Sequence, residues 1–543
     1  MKYAALIAAA IPLIASAQNG SWDWCIGQFG TMADVATDPQ CNSYAFVNLY
    51  SGGNVLGLDI PSPGAKLMKI GADGEAEWAI PMTNIVPHRS QFNGEHIYFC
   101  GNVSGTYSFG NWTETVPNWP PTYFIGKVDL AGEVQWMLKG QGSAPMFTGD
   151  MAVNNLGEVF VAGHGHGSVV VNGTQYLPET DSRIAYFWKV EPDGSLGWIR
   201  HGGCIAGGKT RAQGAAVDAE GNFYAVGYVI ANDQNCDHSP FGQFEIPLDA
   251  AFFIVRLNQN GAFTMARYGS GADLVDIECV NNADLYLVGN SFAMGEPTFE
   301  GSQWFNCQAS SGFIARLNMS GNPTWHRDFS SVNGNASVHR IVSTPGALHV
   351  GCAGLNDVTI GGWTDAQAGR KLLHLELSED GNIQNLSRLA FNSTSGDLST
   401  SLPQLAACDN GGVLLSTVVQ NTSGSTWSLS WDDQETAFPY HPIYTGHFVI
   451  GRSNPFSTGV YSDEPAHTPL LYPNPCDTWT TLEGTDMFGE RVELFSTGGQ
   501  LIRAWMIRNE RLVIDTRDIP SGLYFIRSTS RNAARAEQLI VQH

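Results

Sequence analysis

The sequence predicts an all-β chain: a seven-bladed β-propeller of four-stranded blades, followed by a small β-sandwich. Three observations predict it. A strand–turn–strand phrase ending near tryptophan recurs up to residue 456, its marks making six steps from Trp24 to Leu386, about 60 residues each. The two ends of that array are complementary halves of one hairpin. Only 15% of the 543 residues are charged, and the chain holds 61 glycines, 15 tryptophans and 27 phenylalanines. An average globular chain has about 25% charged residues, so turns and aromatic-rich strands are favoured over helices laced with ion pairs. The net charge of −23 leaves no basic face to displace counterions, which argues against nucleic-acid binding.

The chain opens on Lys2, an apolar run over residues 4–15, and the small-residue site Ala15-Ser16-Ala17 before Gln18. These are the three parts of a secretory signal peptide, and the run is too short to span a bilayer. Residues 1–17 are expected to be removed. No later apolar stretch reaches 18 residues, so no transmembrane segment is expected. Export permits disulfides. The ten cysteines contain no CxxC pair, and Cys25/Cys41, Cys204/Cys236 and Cys279/Cys307 each fall within one repeat. These are the expected bridges, while Cys100 and Cys352, inside apolar strands, read as buried thiols.

Residues 18–456 carry the array. One phrase recurs as KLMKIGADGEAEW (66–78), FIGKVDLAGEVQW (124–136), FWKVEPDGSLGW (187–198) and FIARLNMSGNPTW (313–325), with looser copies at 253–265 and 372–386. Its Asp/Asn–Gly turn supplies the positive-φ residue of a tight hairpin. A second phrase follows each copy: DMAVNNLGEVFVAG (150–163), GAAVDAEGNFYAVG (214–227), DIECVNNADLYLVG (276–289), RIVSTPGALHVG (340–351), and weaker forms at 34–47, 90–101 and 404–416. Two hairpins make four strands. The last unit ends on GHFVIGRSNPF (446–456) without a tryptophan strand, and the first begins on a tryptophan strand with nothing before it. Ring closure would pair them and remove two sheet edges. Six or eight blades stay compatible, because the first and last copies are the weakest. At Asp218, Gly221, Asn222, Tyr224 and Gly227 the chain resembles bacterial β-propeller repeat families of secreted proteins, a resemblance that implies architecture and no activity.

Residues 457–469 (STGVYSDEPAHTP) read as a linker. From Leu470 to His543 there is no lysine, and alternation gives short strands at 491–496, 501–506, 512–515, 522–528 and 537–541. The opening Leu471-Tyr472-Pro473-Asn474-Pro475, then Val492-Glu493-Leu494-Phe495 with Gly498-Gly499, then Ile519-Pro520-Ser521-Gly522-Leu523-Tyr524-Phe525-Ile526 resemble the C-terminal type A sorting domain of type IX secretion cargo from Bacteroidetes. The ending departs from the family where Gln538 replaces the usual lysine. The resemblance implies export through the periplasm, recognition of residues 470–543 by the translocon and sortase, and loss of the tail in or near the linker.

Catalytic chemistry is not legible. GCIAGGKT (203–210) satisfies the Walker A pattern, but a β phrase follows it where phosphate cradling needs a helix. His164 and His166, two apart in GHGHG, are weak metal candidates, with no third ligand nearby. No cofactor motif and no hydrolase signature is complete. Trp112, Trp119 and Tyr123, in the irregular insertion NWTETVPNWPPTY (111–123), lie outside the repeat phrases and form the candidate ligand loop. The sequence therefore reads as a secreted or surface-delivered binding or adhesion scaffold for a glycan or a protein. The alternatives are a hydrolase or lyase at the propeller channel, and a structural surface protein without a defined ligand.

Overall fold

The structure, a computed structural model, describes residues 22–453 and 470–543, except 231–237, 248, 292–296, 305–310, 332–335, 361–362, 366–368, 394–397, 402, 409–411, 422–426, 432–433, 439–445, 473–474, 484–490, 497–500, 507–510 and 530–533. Residues 1–17 and 457–469 lie outside the described residues. The chain is all-β, and no helix occurs among the described residues. It divides into two compact units, Met1–Ser457 and Thr458–His543.

Within the larger unit, antiparallel pairing groups the strands into seven four-stranded meanders. The third, for example, is Met146–Val153, Val159–Gly165, Ile184–Val190 and Leu196–Gly202. Two long strands are shared between meanders. Ala76–Phe92 closes the first with its N-terminal half and opens the second with its C-terminal half. Trp22–Thr37 pairs with Ser43–Leu49 through residues 30–37, and with Gly446–Ser453 through residues 22–29. The N-terminal strand thus supplies the fourth strand of the seventh meander. The seven first strands pack against one another in chain order, and the seventh packs against the first.

The mark residues explain how neighbouring meanders lock. Trp24, Trp136 and Trp198 donate their indole N–H to carbonyls in the turn between the next meander's third and fourth strands: Ala72 at 2.9 Å, Pro192 at 3.1 Å and Gln259 at 2.9 Å. The turn glycine sits under the ring. A Cβ on Gly261 would stand 2.7 Å from Trp198, and that residue's φ of +74° already favours glycine. The tryptophans are therefore packing residues between meanders. The Asp218 motif is equally local: Oδ1 accepts the amides of Glu220 and Asn222, and Oδ2 accepts the Tyr224 hydroxyl at 3.1 Å.

The period of about 60 residues has a cause that the phrases do not display. A short hairpin stands between the second and third strands of most meanders. In four of them it adds to the outermost strand of the preceding meander: Val169–Val171, Thr298–Phe299, Val358–Ile360 and Trp427–Trp431. Each of these four hairpins thereby covers the open edge of the preceding meander.

The smaller unit has two sheets, Leu470–Tyr472 with Trp479–Glu483 and Arg511–Asp515, and Arg491–Ser496 with Leu501–Met506, Gly522–Thr529 and Ala534–Val541. Val492, Leu494, Ile514, Ile526 and Leu539 form its core.

Candidate functional site

In the first six meanders the first strand carries a one-residue bulge, at Ala33, His88, Gly149, Gln213, Val275 and His339. Bulges re-aim the following side chain. The residues that follow are Asp34, Arg89, Asp150, Gly214, Asp276 and Arg340, and Gln404 begins the seventh first strand. Equivalent positions on mutually packed strands gather these groups into one layer.

Arg340 is the hub. It donates to both oxygens of Asp150, at 2.8 and 3.1 Å, and from Nε to Gln404 Oε1 at 3.1 Å, and it lies 3.4 Å from Asp276 Oδ2. Arg89 Nε approaches Asp150 at 3.5 Å. Asp34 accepts the Ser90 amide at 2.7 Å, and Asp276 accepts the amides of Ile277 and Ile341 at 2.9 and 3.0 Å. Three carboxylates against two guanidiniums leave an excess negative charge in a desolvated place. Burial raises Asp34 and Asp276 above the usual carboxylate range, against the pull of the arginines. The same carboxylates hold Arg340 firmly cationic.

Beyond this layer, toward the second strands' starting turns, lies a cavity of about 240 Å³ lined by all seven first strands. Val35, Ala152, Ala215 and Ala406 are among its small or apolar wall residues, and Thr37, Ser90, Gln91, Glu278 and Ser343 are its polar ones. Glu278 accepts the Ser343 hydroxyl at 2.6 Å, and burial pushes its carboxyl up to about 7.

The residues singled out in the sequence fall elsewhere. Tyr123 is buried in the core and hydrogen-bonds Thr148 Oγ1 at 2.9 Å, so it cannot stack on a ligand. Within the insertion Trp112–Thr115 pairs with Ile97–Phe109, Trp112 is half-buried, and residues 116–121 lie outside any strand. Trp119 is 74% exposed. His164 stacks on Phe147, and burial, with Arg211 and His88 beside it, lowers its imidazole to about 4. His166 follows the strand end, and no cluster of three metal-ligating side chains occurs among the described residues. GCIAGGKT is a turn between two strands.

The disulfides need correction. Cys41 is bonded to Cys408, with Cα atoms 5.2 Å apart, not to Cys25. The bridge joins the first meander's turn to the seventh's, where the chain ends meet, a proximity that repeat-internal spacing cannot show. Cys279 is a free thiol, which excludes the Cys279/Cys307 bridge. Cys204 is disulfide-bonded; Cys236 and Cys307 lie outside the described residues.

In the smaller unit, Tyr524 is buried and donates its hydroxyl to Pro520 O at 2.8 Å, while Pro475, Gly522 and Leu523 are exposed. Tyr472 ends a strand, and Pro473 and Asn474 lie outside the described residues. Residues 470–542 match the secretion system C-terminal sorting domain. The chain is exported through the periplasm to the cell surface or the medium, and its sorting domain implies engagement with the type IX secretion system. No curated protein matches the chain. Among solved structures, it is similar to PorZ, an essential bacterial surface component of the type IX secretion system of Porphyromonas gingivalis (12% identity, 94% of this chain and 81% of that one, TM-score 0.23). It is also similar to a subtype N10 neuraminidase-like protein from a little yellow-shouldered bat isolate (8%, 77% and 93%, 0.31), and to the plexin A4 extracellular region (8%, 95% and 78%, 0.21).

Proposed function

We propose that residues 18–456 form a seven-bladed β-propeller that works at the cell surface or in the medium as a binding scaffold for a glycan or protein. The blade count is supported by seven meanders whose first strands touch in cyclic order and by the pairing of Trp22–Phe29 with the last strand. In the same reading, residues 1–17 are removed as a signal peptide, and the tail is removed in or near 457–469.

One observation carries binding over catalysis. The charges gathered on the axis are held in place by one another, with Arg340 tied to Asp150, Asp276 and Gln404, and a stiff plug of this kind builds a scaffold. Exposed contact groups such as Trp119 then stand on a rigid frame. Glycan-array and surface pull-down assays with the exported protein test this; saturable binding is expected, and no ligand of any kind overturns it. A second reading, a hydrolase or lyase at the channel, is favoured by Glu278, a carboxyl that titrates near neutrality against a cavity. It predicts a turnover that Glu278→Gln abolishes.

A further inference from the structure

Three residues before the axial layer, on the opposite side from the cavity, the first strands reach a second level. In the second to fifth meanders it holds Asn102 (opposite Val86), Phe147 with His164, Arg211 with Tyr228, and Asp273. Arg211 is the odd member. Its guanidinium lies over the Tyr228 ring, 5.4 Å from the centroid, and among the described residues no ion pair includes it. In a chain carrying −23, a half-buried arginine outside every described ion pair is a candidate contact for an anion. Its Nε is buried without a hydrogen-bond partner.

Three more buried polar atoms at this level lack partners: Asn102 Oδ1, His164 Nδ1 and Asp273 Oδ1. Asn102 itself is only 9% exposed. Each such atom costs about 1–3 kcal/mol when its bond is left unmade, and native proteins keep few of them without a reason. Here they recur at one level in four successive meanders. The neighbours restrict the ligand. His164 and His88 are both lowered to about 4 by burial and nearby arginines, so they are uncharged at neutral pH, and among the described residues named at this level Arg211 is the cation. A single planar guanidinium matches a monoanionic carboxylate. A phosphate dianion would meet one cation with Asp273 close by. The unpartnered oxygens of Asn102 and Asp273 accept hydroxyl hydrogens.

We propose that this level binds a hydroxylated carboxylate, the acid-bearing ring of a sugar, with the carboxylate on Arg211 and hydroxyls on Asn102, His164 and Asp273. The inference rests on the scaffold reading above and names the ligand class. The full exported chain is titrated calorimetrically with sodium D-glucuronate, methyl β-D-glucoside, sodium acetate and inorganic phosphate. Glucuronate is expected to bind saturably and about tenfold or more tighter than any of the other three. Arg211→Gln is expected to remove about tenfold of that affinity while leaving the thermal midpoint unchanged. Arg211→Lys, which keeps the charge without the fork, serves if the glutamine variant does not fold, and is expected to fall well below wild type. A glucuronate affinity no better than acetate, phosphate binding as tightly as glucuronate, or variants equal to wild type would overturn the proposal. If an array then finds another ligand that Arg211→Gln does not affect, the scaffold reading stands and this inference alone falls; if nothing binds at all, both fall.

Discussion

Replacing both Cys41 and Cys408 by serine isolates the bond that staples the two ends of the array. The bridge spans 367 residues. In the chain-entropy account, a loop of that length removes about 6 kcal/mol of unfolded-state freedom at 25 °C. A real denatured chain is already compact, so the expected loss is about 3–5 kcal/mol. The native geometry should survive, since Thr37 Oγ1 still donates to Ala407 O at 2.5 Å and the strand pairing beside it does not need the sulfurs. Equilibrium urea unfolding without reductant, followed by tryptophan fluorescence, measures the loss. Amide exchange in residues 22–29 and 446–453 should accelerate more than in the third or fourth meander. Cys41→Ser alone opens the same bond and should lose as much. A loss below about 1 kcal/mol, or exchange unchanged at the seam, would refute the claim that the staple holds the ends together.

Three further outcomes are expected. Arg340→Ala leaves Asp150 and Asp276 buried without their cation and should cost about 3–5 kcal/mol in denaturant titration; Asp150→Asn in the same chain should recover part of it. Glu278, raised to about 7, binds its proton more tightly folded than unfolded, so its contribution is intact below the unfolded value and is lost as pH climbs to about 7. Glu278→Gln should therefore gain about 2–3 kcal/mol relative to wild type between pH 5 and pH 8, read from paired urea melts. Gly261→Val puts a branched side chain at φ +74° and 2.7 Å from Trp198, and should lower stability by about 2–4 kcal/mol in the same melts.

The repeats were legible because each strand pair is local and its turn chemistry is written in adjacent residues, as at Asp218 to Tyr224. The sorting tail was legible because its motif is long and ordered. The charged layer is present in the sequence without a local sign: the second phrase begins at Asp34, Asp150, Gly214, Asp276, Arg340 and Gln404, so the layer is the first column of that repeat. A lone polar residue at a strand start looks solvated, and nothing local says that Asp150 meets Arg340, 190 residues away. The covering hairpins are not legible because strands as short as Thr298–Phe299 carry no measurable alternation. The cysteine nearest Cys41 in sequence is Cys25, whereas its bonded partner Cys408 is near only once the array has curled.

The shared strand Trp22–Thr37 has a consequence for how the molecule is made. Its outward half hydrogen-bonds to Gly446–Ser453, segments that leave any translocation pore at opposite times. A chain threaded N-terminus first therefore travels with its leading strand unmated, a sticky ribbon that can capture a neighbour's backbone, until the trailing strand emerges and fills the place. Assembly is then timed by delivery of the end next to the sorting tail, and only an oxidising compartment can afterwards rivet the join.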